Sequence, residues 1–215
     1  MKLIAKLAAT AALAAGVLAG FAFAQDGRSG NAGAAGQDAK PATATIGQPA
    51  PAFTLKDQDG NEVKLSDFRG KVVVIEQFNQ QCPYVVKFYR EGHMNDLAKK
   101  YAEKGVVWLA IDTGNGSTPE KLKAVAEKWK IERPILNDAD GKVSRMYGAK
   151  TTPQMRVINA EGILVYHGAI DSMATPNTAD IDKADKYLVN ALDETLAGES
   201  VSVPETRPYG CNVKL

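Results

Sequence analysis

The chain has 215 residues, 45% apolar and 24% charged, with 26 Lys and Arg against 25 Asp and Glu. That profile fits a globular domain, and the near-neutral balance supplies neither the basic surface that nucleic acid needs nor an acidic disordered tail. Two cysteines and two histidines exclude a multi-disulfide scaffold and a Cys/His zinc cluster.

Met1 to Ala24 carries Lys2 and Lys6 ahead of an alanine-rich apolar run that ends Ala22-Phe23-Ala24, small-x-small. This is the pattern of a removable secretory signal, too short and too rich in alanine for a membrane anchor. Export to the periplasm or medium is the expected localisation, with no membrane span in the mature form and both thiols in a compartment where disulfides persist. Residues 25–45 hold no large apolar group beyond alanine, so they cannot offset their ordering entropy and read as a flexible linker.

The folded part is expected over residues 46–197. Phe53 to Leu55 and Glu62 to Leu65 alternate around Asp59-Gly60, a hairpin signal. Lys71 to Phe78 is β-branched and almost continuously apolar, as a central strand is. From Pro83 the apolar period changes to three and four, predicting one helix to near Gly105. Val106 to Ile111 reads as a second buried strand, and Thr118-Pro119-Glu120 opens a helix to about Trp129. Pro134 to Leu136 is a short strand and Gly141 to Tyr147 a short helix. Met155 to Asn159 and Ile163 to His167 flank Ala160-Glu161-Gly162 as an antiparallel hairpin, and Ala179 to Leu196 predicts a long closing helix. The order implies an α/β fold, a mixed central sheet flanked by helices. Residues 198–215, with two prolines and a glycine before Cys211, read as an extended C-terminal arm.

Cys82 follows the first buried strand and stands immediately before a first-turn proline. Free amide groups and the helix dipole at such a point stabilise a thiolate, and open α/β sheets place their ligand crevice at strand carboxyl ends. The competing reading is an inert core cysteine. Glu76, on the same strand, is either a buried acid able to accept the thiol proton or a strand residue paired with a lysine. Gln77, Asn79, Gln80 and Gln81 offer amides that hydrogen-bond a substrate backbone or cap the turn. His93 and Met94 belong to a soft-ligand set with Cys82, but eleven helical residues put His93 about 16 Å away. No metal site and no cofactor is expected, and surface or capping roles are expected for His93 and His167. Asn115-Gly116-Ser117 fits a glycosylation acceptor.

The stretch VVVIEQFNQQCPYV, with Thr152-Pro153 ahead of the final hairpin, resembles the thioredoxin superfamily. Within it, Cys82-Pro83-Tyr84-Val85 and the ending Arg207 to Lys214 look like peroxiredoxin-like redoxins of the AhpC/TSA type that are exported. The resemblance implies a thioredoxin-like fold, Cys82 as nucleophile, Glu76 as a buried proton-shuttling acid, and Thr152 and Pro153 as a cis-proline loop facing the cysteine. With Pro83 and Tyr84 it implies a groove that binds substrate. The chain departs from the patterns at three points. Val85 stands where thioredoxins hold a second cysteine. Asn79 stands where peroxiredoxins hold a threonine, and Pro153 falls where they hold an arginine.

The expected activity is thiol-based oxidoreduction at Cys82, on thiol/disulfide proteins or a hydroperoxide, with an external thiol reductant. The alternatives are a hydroperoxide-reducing peroxiredoxin and a non-catalytic binding module. Cys211 is a resolving or bridging partner, a structural staple, or an independent thiol. An 82–211 bridge would close a long loop worth about 4–5 kcal/mol in the chain-entropy picture, which suits a staple and a catalytic pair equally.

Overall fold

The computed structural model describes residues 43–215 apart from Asn115. The expected signal segment, nearly all of the linker and the asparagine of the glycosylation triplet lie outside the described residues.

Among the described residues, nine strands and five α-helices follow one another. The hairpin is β1 (Thr54–Lys56) and β2 (Glu62–Lys64), then come β3 (Val73–Phe78), α1 (Pro83–Tyr89), α2 (His93–Ala102) and β4 (Val107–Asp112). After α3 (Pro119–Trp129) come β5 (Ile135–Asn137), α4 (Lys142–Met146), β6 (Thr151–Thr152), β7 (Gln154–Ile158) and β8 (Leu164–Gly168). The chain closes with α5 (Tyr187–Leu196) and β9 (Cys211–Asn212). Seven strands form one sheet in the order β2-β1-β5-β4-β3-β7-β8, and β6 with β9 forms a separate two-stranded ladder. β3 is parallel to β4 and antiparallel to β7, so the sheet is mixed as expected.

The two-residue period of the central strands sorts the core into two layers. Val74 and Phe78 of β3, Trp108 and Ala110 of β4, and Met155 and Val157 of β7 meet α1, α2, α3 and α5. Val73 and Ile75, Leu109 and Ile111, and Ile158 meet α4 and the segment before β1. All six residues of β3 are buried, which explains its unbroken apolar run. Each of its large apolar side chains contributes roughly 1.5–3 kcal/mol of burial.

Two helices differ from the sequence reading. The helix expected from Pro83 to Gly105 is broken between α1 and α2, where Gly92 adopts φ 82°. Periodicity carries across such a break because the apolar face continues on both sides. The helix expected from Ala179 begins only at Tyr187, with a short 3₁₀ turn over Thr178–Asp180 before it.

The arm is not free. His167 N–H donates to Pro204 O (2.9 Å), Ala169 N–H donates to the Thr206 hydroxyl (2.9 Å), and Val213 N–H donates to Lys150 O (2.9 Å). Gly168 lets the arm lie this close: a Cβ there would stand 2.1 Å from Thr206 Oγ1 and 2.8 Å from Thr206 N. The Gly168→Ala protein is expected to lose about 1–3 kcal/mol in urea unfolding and to expose residues 199–215 to protease while the rest stays resistant. Equal protease resistance in both proteins would contradict this packing.

Candidate active site

β3 ends at Phe78, and the chain turns into α1 through Asn79, Gln80 and Gln81. The Asn79 carboxamide oxygen accepts from Gln81 N–H at 2.8 Å, and its backbone carbonyl accepts from Cys82 N–H at 3.1 Å. Asn79 therefore shapes the turn that delivers Cys82 as the N-cap of α1, with Pro83 in the first turn, where its missing N–H costs nothing. Gln77 points to the opposite sheet face, donating to Ser144 Oγ (2.9 Å) and Thr113 Oγ1 (3.1 Å).

Cys82 is only 1% exposed. Its thiol donates to Thr152 O at 3.0 Å, and Thr152-Pro153 is a cis peptide bond. In the β6–β9 ladder Cys211 is the register partner of Thr152, which brings the second thiol against the first. Both cysteines are free thiols. Burial raises the Cys82 pKa, but hydrogen bonds from the Cys211 and Thr152 side chains and from backbone at Val85 and Cys211 outweigh it, so the net direction is down. Cys211 moves the other way, pushed up to about 11 by burial and by its contact with Cys82. The buried Thr152 hydroxyl has no competing hydrogen-bond partner, which leaves it free to donate to a Cys82 thiolate.

One groove of about 380 Å³ runs along this site, lined on one wall by Asn79, Gln80 and Gln81 and on the other by Asn212 and Lys214, with Cys82 and Cys211 between them. Asp112 also faces it, raised by burial, accepting from Ser117 Oγ (2.6 Å) and from Gly114 N–H. Sequence reasoning missed Asp112, whose only signal is an acid at the carboxyl end of a buried strand before a glycine-rich turn.

Beside α1 a second feature was equally hidden. The Lys87 side chain is fully buried, donating to Met173 O (3.0 Å) with Asp171 Oδ2 3.7 Å away. The Tyr209 phenol donates to Asp171, and its ring lies 5.8 Å from that of Tyr84. These contacts pin the arm two residues before Cys211. No local pattern links Lys87 to Asp171, because they meet only across the fold. Pro83 is exposed, and Tyr84 is half-buried against the arm rather than in the groove.

Glu76 is completely buried, on the same sheet face as Cys82. Its carboxylate accepts from Tyr89 Oη (2.8 Å), Trp108 Nε1 (2.9 Å) and Arg133 (3.2 Å). Burial and the adjacent carboxylate push the Tyr89 phenol well up, keeping it a donor. These three donors fix the carboxylate, and none of its hydrogen bonds reaches Cys82. Asn95 Oδ1 accepts from the other arm of Arg133 at 3.0 Å.

His93 sits at the start of α2 with Nε2 3.6 Å from Glu91, and Met94 is core. His167 departs from its expected surface role. It is half-buried against Gln154, and burial first, then Arg156 and Lys150, lower its pKa to about 4. Among the described residues, no helix is long and apolar enough to cross a membrane.

The Glu76→Ala protein is expected to lose about 3–5 kcal/mol of stability, because Arg133 would keep a buried charge without its carboxylate. Chemical denaturation measures this, and a loss below 1 kcal/mol would refute the anchoring role.

Comparison with known proteins places this geometry among redoxins. The family model described as the AhpC/TSA family matches residues 46–167. Over 120 residues the chain is 30% identical to thiol-disulfide oxidoreductase ResA of Bacillus thuringiensis, covering 56% of this chain and 67% of that protein. It is 31% identical over 131 residues to chloroplastic peroxiredoxin Q of Populus jackii, covering 56% of this chain and 59% of the relative. The crystal structure of an uncharacterized conserved protein from Geobacillus kaustophilus superposes with TM-score 0.69 at 30% identity, over 80% of this chain and 92% of that one. Peroxidoxin BcpB from Mycobacterium tuberculosis gives TM-score 0.54 at 26% identity, over 72% and 97%.

Proposed function

The chain belongs to the AhpC/TSA family of thioredoxin-like redoxins, and from that premise we propose that it is a thiol-disulfide oxidoreductase in which Cys82 attacks and Cys211 resolves. The observation that carries this reading is the placement of two free thiols against one another, Cys82 as the N-cap of α1 on the Thr152 carbonyl and Cys211 opposite it in the β6–β9 ladder. Cys82 is held below its ordinary value while Cys211 is pushed up to about 11, so one sulfur is the nucleophile and the other waits as a protonated donor.

The Cys82 thiolate attacks a substrate disulfide. A Cys82–substrate disulfide forms, the substrate S–S bond breaks, and the departing sulfur leaves with the electron pair as a thiolate. Cys211 then gives up its proton to solvent and attacks Cys82 Sγ, forming the 82–211 disulfide and expelling the second substrate thiolate. The substrate disulfide is reduced by two electrons and the protein dithiol oxidised by two. An external thiol reductant restores Cys82 and Cys211. Thr152 supports the first step twice, through its carbonyl, which holds the thiol in place, and its unpartnered hydroxyl, which the thiolate can accept from. The apolar run of residues 1–24 behind Lys2 and Lys6 favours action outside the cytoplasm, and the relation to the thiol-disulfide oxidoreductase ResA favours thiol or disulfide proteins as substrates.

Hydroperoxide reduction has less support. Asn79 spends its side-chain oxygen on Gln81 and offers no hydroxyl at the sulfur, and no arginine is among the described residues lining the groove.

Alkylation of Cys82, followed by mass spectrometry against pH, tests the assignment. Because the thiolate is the reactive form, the rate should rise with pH through an inflection below about 8.5, the ordinary cysteine value. In Cys211→Ala the inflection should move up, since a donor to the thiolate is gone, and in Cys211→Ser, which retains a hydroxyl, it should move less. An inflection at or above 8.5 in the unaltered protein would overturn the nucleophile assignment.

A further inference from the structure

The arm reaches the reactive cysteine in an unusual way: it pairs as a strand with the segment beside it. Cys211 and Asn212 lie antiparallel to Thr152 and Thr151, so the polar edge of the Thr-Pro segment is occupied by an extended stretch of chain carrying a cysteine. Three side-chain positions of that stretch are read by the site. Cys211 meets Cys82. Gly210, one residue earlier, has φ +127°, and a Cβ there would stand 1.9 Å from Thr152 O, the same carbonyl that accepts from the Cys82 thiol. Any residue but glycine would both clash and be forced into a disfavoured backbone region. Tyr209, one residue earlier again, places its phenol on Asp171, whose other oxygen faces the buried Lys87 ammonium and has no hydrogen bond of its own. Its ring leans on Tyr84.

We propose that the arm is a tethered stand-in for the substrate, and that the substrates are extended polypeptide segments in which the disulfide cysteine follows a glycine and, before that, a tyrosine. This rests on the reading of Cys82 as the nucleophile. Arm and substrate compete for one edge, since with the arm in place Cys82 is 1% exposed. The arm lifts, the substrate strand pairs with Thr151 and Thr152, and Cys82 exchanges onto the substrate cysteine, expelling that cysteine's former partner as a thiolate. Return of the arm displaces the bound strand and brings Cys211 to the mixed disulfide, so binding and resolution are two uses of the same ladder. The Lys87–Asp171 pair thereby acts as a specificity element for a phenol as well as a clasp for the arm.

The test uses the reduced full chain and three synthetic octapeptides. The first is Arg-Pro-Tyr-Gly-Cys-Asn-Val-Lys, and the others replace its glycine or its tyrosine with alanine. Each carries 5-thio-2-nitrobenzoate on its cysteine as a mixed disulfide, so that exchange releases the coloured thiolate. Tyr209→Ala, which loosens the arm, should react with the parent peptide about tenfold faster than the unaltered protein, and about tenfold faster than with either alanine peptide, the ratio that roughly 1.4 kcal/mol of binding supplies. Gly210→Ala, which keeps Tyr209, Asp171 and Lys87 intact, should show the same preference for the parent peptide, so poor folding of one variant does not decide the matter. Equal, rapid release from all three peptides would overturn the stand-in reading while leaving Cys82 a nucleophile. Failure of every peptide and of a small symmetrical aromatic disulfide to react would overturn both.

Discussion

The carbonyl of Thr152 is the point on which this site depends. It accepts the Cys82 thiol, it lies against Gly210 so closely that no side chain fits between, and it belongs to the residue that pairs with Cys211. A single peptide unit thus sets the position of the Cys82 thiol, the approach of the arm and the register of the second thiol. Moving it would separate the sulfurs and change the acidity of both, because burial and the hydrogen bond between the two thiols depend on that ladder.

Buried charges hold the surroundings rigid enough for this to matter. Glu76, Arg133, Tyr89 and Trp108 tie β3, α1 and β4 to the loop before β5. Lys87, Asp171 and Tyr209 tie α1 and the segment after β8 to the arm. In both cases an ionised group is taken out of water and then given nearly every partner it can use, the condition under which such pairs fix geometry rather than merely cost desolvation. In the second cluster Asp171 Oδ2 is left without a hydrogen bond, 3.7 Å from the Lys87 ammonium.

Much of the fold was readable along the chain because its strands advertise themselves: KVVVIEQF and VVWLAI are buried on both faces and so carry no polar alternation. Helix continuity was less legible. The apolar positions on either side of Gly92 share one face, and only the left-handed backbone at that glycine separates α1 from α2. The site divides in the same manner. Cys82 announced itself by standing between a strand and a proline, and Thr152-Pro153 by its place ahead of the last hairpin. Glu76 was visible as an acid in an apolar run, but its role depended on Arg133 and Trp108, which no spacing connects to it. Lys87 looked like one more charged residue on a helix, and Asp171 like a loop acid.

From the linear order of residues alone follow the mixed α/β architecture, a cysteine at the start of a helix after a buried strand, and a second thiol near the end of the sequence. These are local properties: periodicity, turn chemistry and the electrostatics of a helix start act within a few residues. Whether that arm would dock, what would hold it, and which partners would surround the buried carboxylates were decided by contacts between residues far apart in the chain. Such contacts depend on how the layers stack, because a buried charge acquires its role only from the partners that packing brings to it.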